Sequence, residues 1–142
     1  MAMPRIFKAL TTAALALMAV IGSQAMAAEY ETAYSGVVSG TVTYLQRIAL
    51  TPDATVFVQL RDVSRMDVPA PLIGETRIES PGQVPIPFEI TYDPKEIDPR
   101  FTYSVSAQIL RGDKLLFVSD TVYPVITRDN PGTVEVVVRP VR

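Results

Sequence analysis

The chain is short of reactive groups, with no cysteine and no histidine among its 142 residues. Thiolate chemistry, imidazole bases and nitrogen–sulfur sites for zinc or copper are therefore excluded. A serine or threonine nucleophile would need its base from Lys95, Lys114 or a carboxylate whose pKa is raised. Neither lysine follows a serine by three positions, and Lys95 stands in the turn-like run Asp93-Pro94-Lys95-Glu96-Ile97-Asp98-Pro99. Asp62 with Asp67 is the carboxylate pair that could serve glycoside hydrolysis. Asp93, Glu96 and Asp98 could offer oxygens to calcium, but they lack the Asp-x-Asp-x-Asp-Gly frame of a calcium loop. Aspartate before proline starts turns, so turn capping is the expected duty of these acids. Arg111-Gly112-Asp113 spells an adhesion tripeptide, yet Gly112-Asp113 between apolar runs is what a tight hairpin asks for. The expectation is no catalytic residue, no cofactor and no metal.

The elements that would position any site follow a period of two, the spacing that sends alternate side chains to opposite faces of a sheet. It runs through Val38–Tyr44, Thr55–Arg61, Ile86–Tyr92, Phe101–Ile109 and Thr133–Arg139. Leu72–Glu79 is a broken alternation, and Leu115–Val118 is apolar on both faces, as a strand covered on both sides would be. Proline and glycine turn signals separate these runs, from Thr51-Pro52-Asp53 to Asn130-Pro131-Gly132. Pro85, Pro87 and Pro124 cannot donate to a ladder and belong at edges or bulges. The pattern predicts an all-β chain: one antiparallel β-sandwich of seven to eight short strands, immunoglobulin- or transthyretin-like, over residues 37–142.

The opening residues read as an address. Arg5 and Lys8 precede an apolar run from Ala9 to Ile21, and Ala25-Met26-Ala27 supplies a small-x-small signal peptidase site at Ala25 and Ala27. That run is shorter than the roughly 20 residues a membrane-spanning helix needs. Residues 1–27 are thus expected to be a cleaved signal peptide, 28–36 a flexible lead, and the destination the periplasm. The acylated cysteine of a lipoprotein leader is missing, so no lipid anchor is expected. Arg5 and Lys8 are the only charges of the leader, which leaves the remainder more acidic than the whole chain's net charge of −2. The arginines from Arg47 to Arg142 are scattered, which gives no nucleic-acid groove.

These residues also carry a resemblance. Val38-Ser39-Gly40-Thr41-Val42-Thr43-Tyr44 through Leu50-Thr51-Pro52-Asp53-Ala54, then Val56 to Ser64, resembles the opening of the YbaY/YscW-type family of envelope lipoproteins and type III secretion lipoprotein chaperones. Pro85–Pro94, Gly112–Val118 and Tyr123–Thr127 are similar to later stretches of the same pattern. The resemblance implies a non-enzymatic β-sandwich of the cell envelope, related to pilotins that bind a secretin segment and tow it by their own lipid. Without the cysteine, partner binding is implied here and lipid-driven delivery is not.

Alternation points Phe57, Leu110, Leu116 and Val137 outward, and Val68–Ile73 is an apolar, proline-rich connection. Convergence of several such residues would make a protein- or peptide-binding patch. The expected function is a soluble periplasmic binding or chaperone-like protein whose partner is an envelope or secretion-system protein or peptide. The alternatives are a small carboxylate-based hydrolase and a purely structural envelope protein.

Overall fold

The computed structural model describes residues 35–142, so the leader, its Ala25/Ala27 site and residues 28–34 lie outside the described part. Nine strands run in the order β1 (Gly36–Thr43), β2 (Ala54–Asp62), β3 (Leu72–Glu79), β4 (Ile86–Tyr92), β5 (Tyr103–Arg111), β6 (Lys114–Val118), β7 (Tyr123–Val125), β8 (Thr133–Val137) and β9 (Arg139–Pro140). The one helical element described is a single 3-10 turn at Pro94–Glu96. The strands form two sheets, β4-β1-β8 and β3-β2-β5-β6-β9, with β7 also paired to β5. The fold is thus the all-β sandwich that the period of two predicts.

Alternation explains the core directly. Val56, Val58 and Leu60 of β2 face Val105, Ala107 and Ile109 of β5 across the larger sheet, and Val38, Val42, Ile86, Ile90 and Val136 come from the smaller one, all buried. Burying each such aliphatic side chain contributes about 1.5–3 kcal/mol against leaving it in water. All buried side-chain polar atoms described have a hydrogen-bond partner.

Five details differ from the sequence reading. The sandwich is not antiparallel throughout, because β1 pairs with β8 in parallel register, Gly40 opposite Val134. Gly40 makes this approach possible: a Cβ there would lie 1.7 Å from the Val134 carbonyl oxygen. The strand expected to begin at Phe101 begins at Tyr103, since the Phe101 amide donates to the Asp98 carbonyl in a turn. A register shift between Ile109 and Leu110 places Leu115 opposite Leu110 and Phe117 opposite Ile109. Leu116, the residue this bulge leaves out of the ladder, packs against the core instead of pointing away. Cover on both sides of β6 is likewise incomplete: Phe117 is buried, while Leu115 and Val118 are only half-buried. The strand count exceeds seven or eight because two very short strands, β7 and β9, complete the larger sheet.

Candidate functional site

The site begins where β1 ends. Tyr44 is buried and stacks on Phe117 of β6, ring centroids 4.5 Å apart and planes 10° apart, so one aromatic pair ties the two sheets together. Its hydroxyl donates to the Ile48 carbonyl at 2.6 Å, and burial pushes the phenol's pKa above its ordinary value. With Tyr44 turned inward, Leu45 is forced out and stands 80% exposed.

Across from this loop, the chain passes from β8 in the smaller sheet to β9 in the larger one. The Val138 amide donates to the Thr43 carbonyl, and Arg139 and Pro140 then pair with Val118 and Phe117 of β6. Between loop and crossover lies a cleft of about 690 Å³, with Leu45, Val118, Val137, Val138 and Pro140 as its apolar wall and Gln46, Asp120, Arg139 and Arg142 as its polar rim. Arg139 reaches Asp120 at 3.5 Å. That volume falls in the range of clefts that hold ligands or short peptide segments.

Of the four residues that alternation points outward, the structure brings one, Val137, to this cleft. Phe57 lies on the outer face of the larger sheet, where the Arg77 guanidinium covers its ring at 5.3 Å. Leu110 is half-buried on the same strand ladder opposite Thr55, and Leu116 belongs to the core margin. The four do not converge. Leu45, Val118, Asp120 and Arg139 were not singled out by sequence reasoning; the available signal was Leu45, an apolar residue directly after an inward tyrosine at the end of a strand. The Val68–Ile73 connection lines a smaller cleft of about 210 Å³ with Asp62, Arg65, Val68, Pro71 and Phe101.

The acids singled out for chemistry serve turns. Asp62 Oδ1 accepts from the Ser64 amide at 3.0 Å, and Asp67 is exposed in the following loop. Asp93 Oδ1 accepts from the Lys95 amide at 2.9 Å, capping the 3-10 turn. Asp98 accepts from the Arg100 amide, Nε and Nη2, and these hydrogen bonds hold its pKa down to about 2. Lys95 and Lys114 are exposed. Among the described residues no three acids are grouped so as to hold a metal ion. Gly112 sits at φ +59° in the β5–β6 hairpin, and Arg111 pairs with Asp53 at 2.9 Å, which accounts for the Arg-Gly-Asp run as a turn.

The described residues thus form a two-sheet scaffold with a partly apolar cleft at one end. Comparison with known proteins gives this scaffold a family. The profile described as type III secretion system lipoprotein chaperone (YscW) matches residues 34–138, and the chain belongs to that family of chaperone-like proteins. It is 39% identical over 92 residues to the uncharacterized lipoprotein YbaY of Escherichia coli (strain K12), a match covering 64% of this chain. The matched part spans 48% of that relative's length. Among solved structures, an alternative pilotin from the type II secretion system of Vibrio cholerae superimposes with a TM-score of 0.74 at 38% identity, over 76% of this chain and 98% of the pilotin. Among the described residues no helix is long and apolar enough to cross a membrane.

Proposed function

We propose that this chain is an exported, periplasmic, non-enzymatic chaperone-like protein that holds a segment of an envelope or secretion-system protein in the cleft between Leu45 and Val137. The observation that carries the reading is Leu45 itself, a large apolar side chain held in water by the inward turn of Tyr44 and facing an apolar wall. The match to a pilotin supports a secretion-system partner. Against hydrolysis, Asp62 of the candidate pair accepts the Ser64 amide in a turn, and its partner Asp67 is exposed in the loop that follows. With no cysteine to acylate, the role proposed is holding a partner, not towing it to a membrane.

A photo-crosslinking residue placed at Leu45 or at Val137, in cells that make the chain and its native envelope, tests this. Both positions are expected to give a covalent adduct to the same protein, and the same residue at Phe57 is expected to give none. Equal labelling from all three positions, or none from Leu45, would refute the cleft. Export is tested on the same material: mass spectrometry should find the protein beginning at Ala28, and an intact leader would refute cleavage.

A further inference from the structure

The wall that carries Leu45 is an arch with buried feet and an exposed crown. Tyr44 and Leu50 are buried, and residues 45–49 between them are exposed. An exposed run of this length buries little surface of its own, so its conformation depends on what fixes its ends. At the first foot Tyr44 does this, through its stack on Phe117 and its hydroxyl on the Ile48 carbonyl.

The second foot is held from a distant part of the chain. The Leu50 amide donates to Gln83 Oε1 at 2.9 Å, and Gln83 Nε2 donates to the Leu50 carbonyl at 3.1 Å. One carboxamide thus bonds both main-chain groups of Leu50, as a paired strand residue would. Gln83 belongs to the connection between β3 and β4, which grips the stretch after the arch as well. Ser80 Oγ donates to the Pro52 carbonyl at 2.8 Å, and the Ser80 amide donates to the Ala54 carbonyl at 3.2 Å. Gln83 does not line the cleft and is itself exposed, so replacing it leaves no hole in the core.

Resting on the cleft proposed above, we infer that Gln83 is a positioning residue of the partner site: by fixing the far foot of the arch it sets where Leu45 stands. Its carboxamide acts on Leu50 from 33 positions away in the sequence. A wall that is ordered before the partner arrives loses less freedom on binding, so this bond raises affinity through Leu45 without touching the partner.

Because the chain has no cysteine, a nitroxide can be carried on a single introduced thiol. With the label at Arg47→Cys, on the crown, Gln83→Ala should shorten its rotational correlation time at least twofold. A label at Glu75→Cys on β3 should be unaffected. Gln83→Glu supplies a rescue: a protonated carboxyl accepts from the Leu50 amide and donates to its carbonyl as the carboxamide does, whereas a carboxylate has no proton to give. The Arg47 label in Gln83→Glu should therefore be mobile at about pH 7. At about pH 3.5, below the roughly 4.3 of an ordinary glutamate, it should match the otherwise native chain at the same pH. In cells, with the photo-crosslinking residue at Val137 on the opposite wall, Gln83→Ala should cut the adduct at least fivefold, as Leu45→Ser should. The thermal midpoint of Gln83→Ala should fall by less than about 8 °C.

An Arg47 label as slow in Gln83→Ala as in the parent chain would overturn the inference, and so would a Gln83→Glu label equally mobile at both pH values. An adduct from Val137 that Leu45→Ser abolishes and Gln83→Ala leaves intact would overturn it while leaving the cleft standing. No adduct from Val137 in the parent chain would refute the cleft and the positioning role together. Loss of the cooperative melt in Gln83→Ala would make Gln83 a residue of the fold, which also overturns the inference.

Discussion

The two lateral seams of the sandwich, where the edge of one sheet meets the edge of the other, are closed by different means. On one side β3 and β4 come together at Gly74, where a Cβ would lie 2.8 Å from Ile90 Cγ2 and 2.9 Å from the Thr91 carbonyl oxygen. The Ile90 side chain and the Thr91 backbone fill that seam, and β4 adds Pro87, which has no amide to offer an incoming strand. On the other side β8 ends the smaller sheet, and the Tyr123 side chain reaches its last residue. The Tyr123 hydroxyl accepts from the Val137 amide at 3.0 Å and donates to its carbonyl at 3.2 Å. One hydroxyl there takes the place of a neighbouring strand, and the cleft opens just beyond it. A seam closed by backbone and side chain together leaves no space for a ligand; a seam closed by a single side chain leaves room where that side chain ends.

The largest way to break this contrast acts on β8 itself. Gly40→Ala puts a methyl group into the Val134 carbonyl and should cost about 3 kcal/mol or more, seen as loss of cooperative folding or a large fall in urea midpoint. Gly74→Ala tests the closed seam. Its neighbour on one side is the flexible end of Ile90 but on the other a backbone oxygen, so a loss of about 1–3 kcal/mol is expected by the same measurement. Tyr123→Phe keeps the ring and removes the hydroxyl, leaving the Val137 amide and carbonyl without that partner. About 1–2 kcal/mol should be lost, with faster amide exchange at Val137. An unchanged exchange rate would show that the open seam does not depend on this contact.

A gain is expected in the connection between β7 and β8. Ile126, Arg128 and Asp129 all have positive φ, at 73°, 58° and 64°, and the Asn130 amide closes a turn onto the Thr127 carbonyl at 3.2 Å. Glycine is favoured at the second centre of such a turn, so Asp129→Gly should stabilise by about 0.5 kcal/mol in the same urea titration. The smallest effect concerns pH and belongs to the connection between β4 and β5. The Arg100 hydrogen bonds hold Asp98 at about 2, below the 3.8 of an ordinary aspartate. Their contribution is complete above 3.8 and is lost as pH falls towards about 2. Arg100→Ala should move the Asp98 carboxyl midpoint, followed by NMR, back up towards the ordinary value.

The strands were legible because their signal is local. Alternation in Thr55–Arg61 and Ile86–Tyr92 reports which side chains leave water, and the structure buries Val56, Val58, Leu60, Ile86, Phe88 and Ile90 accordingly. Turn duty for Asp93 was legible for the same reason, since the amide it caps is two residues away. The parallel pairing of β1 with β8 was not, because it depends on residues more than ninety positions apart and on the missing side chain of Gly40.

The cleft shows the same limit. Val137 could be marked outward from alternation alone, but its company could not: Leu45, Val118 and Arg139 come from three separate stretches that meet only after the sheets stack. Composition and periodicity determined which chemistry is excluded and which face of each strand is apolar, because both follow from residue type and from a repeat of two. Which edges meet, and which edge is left to a single tyrosine hydroxyl, only the tertiary structure decided. Strand pairing is set by packing and loop closure across the whole chain, and no local pattern encodes it.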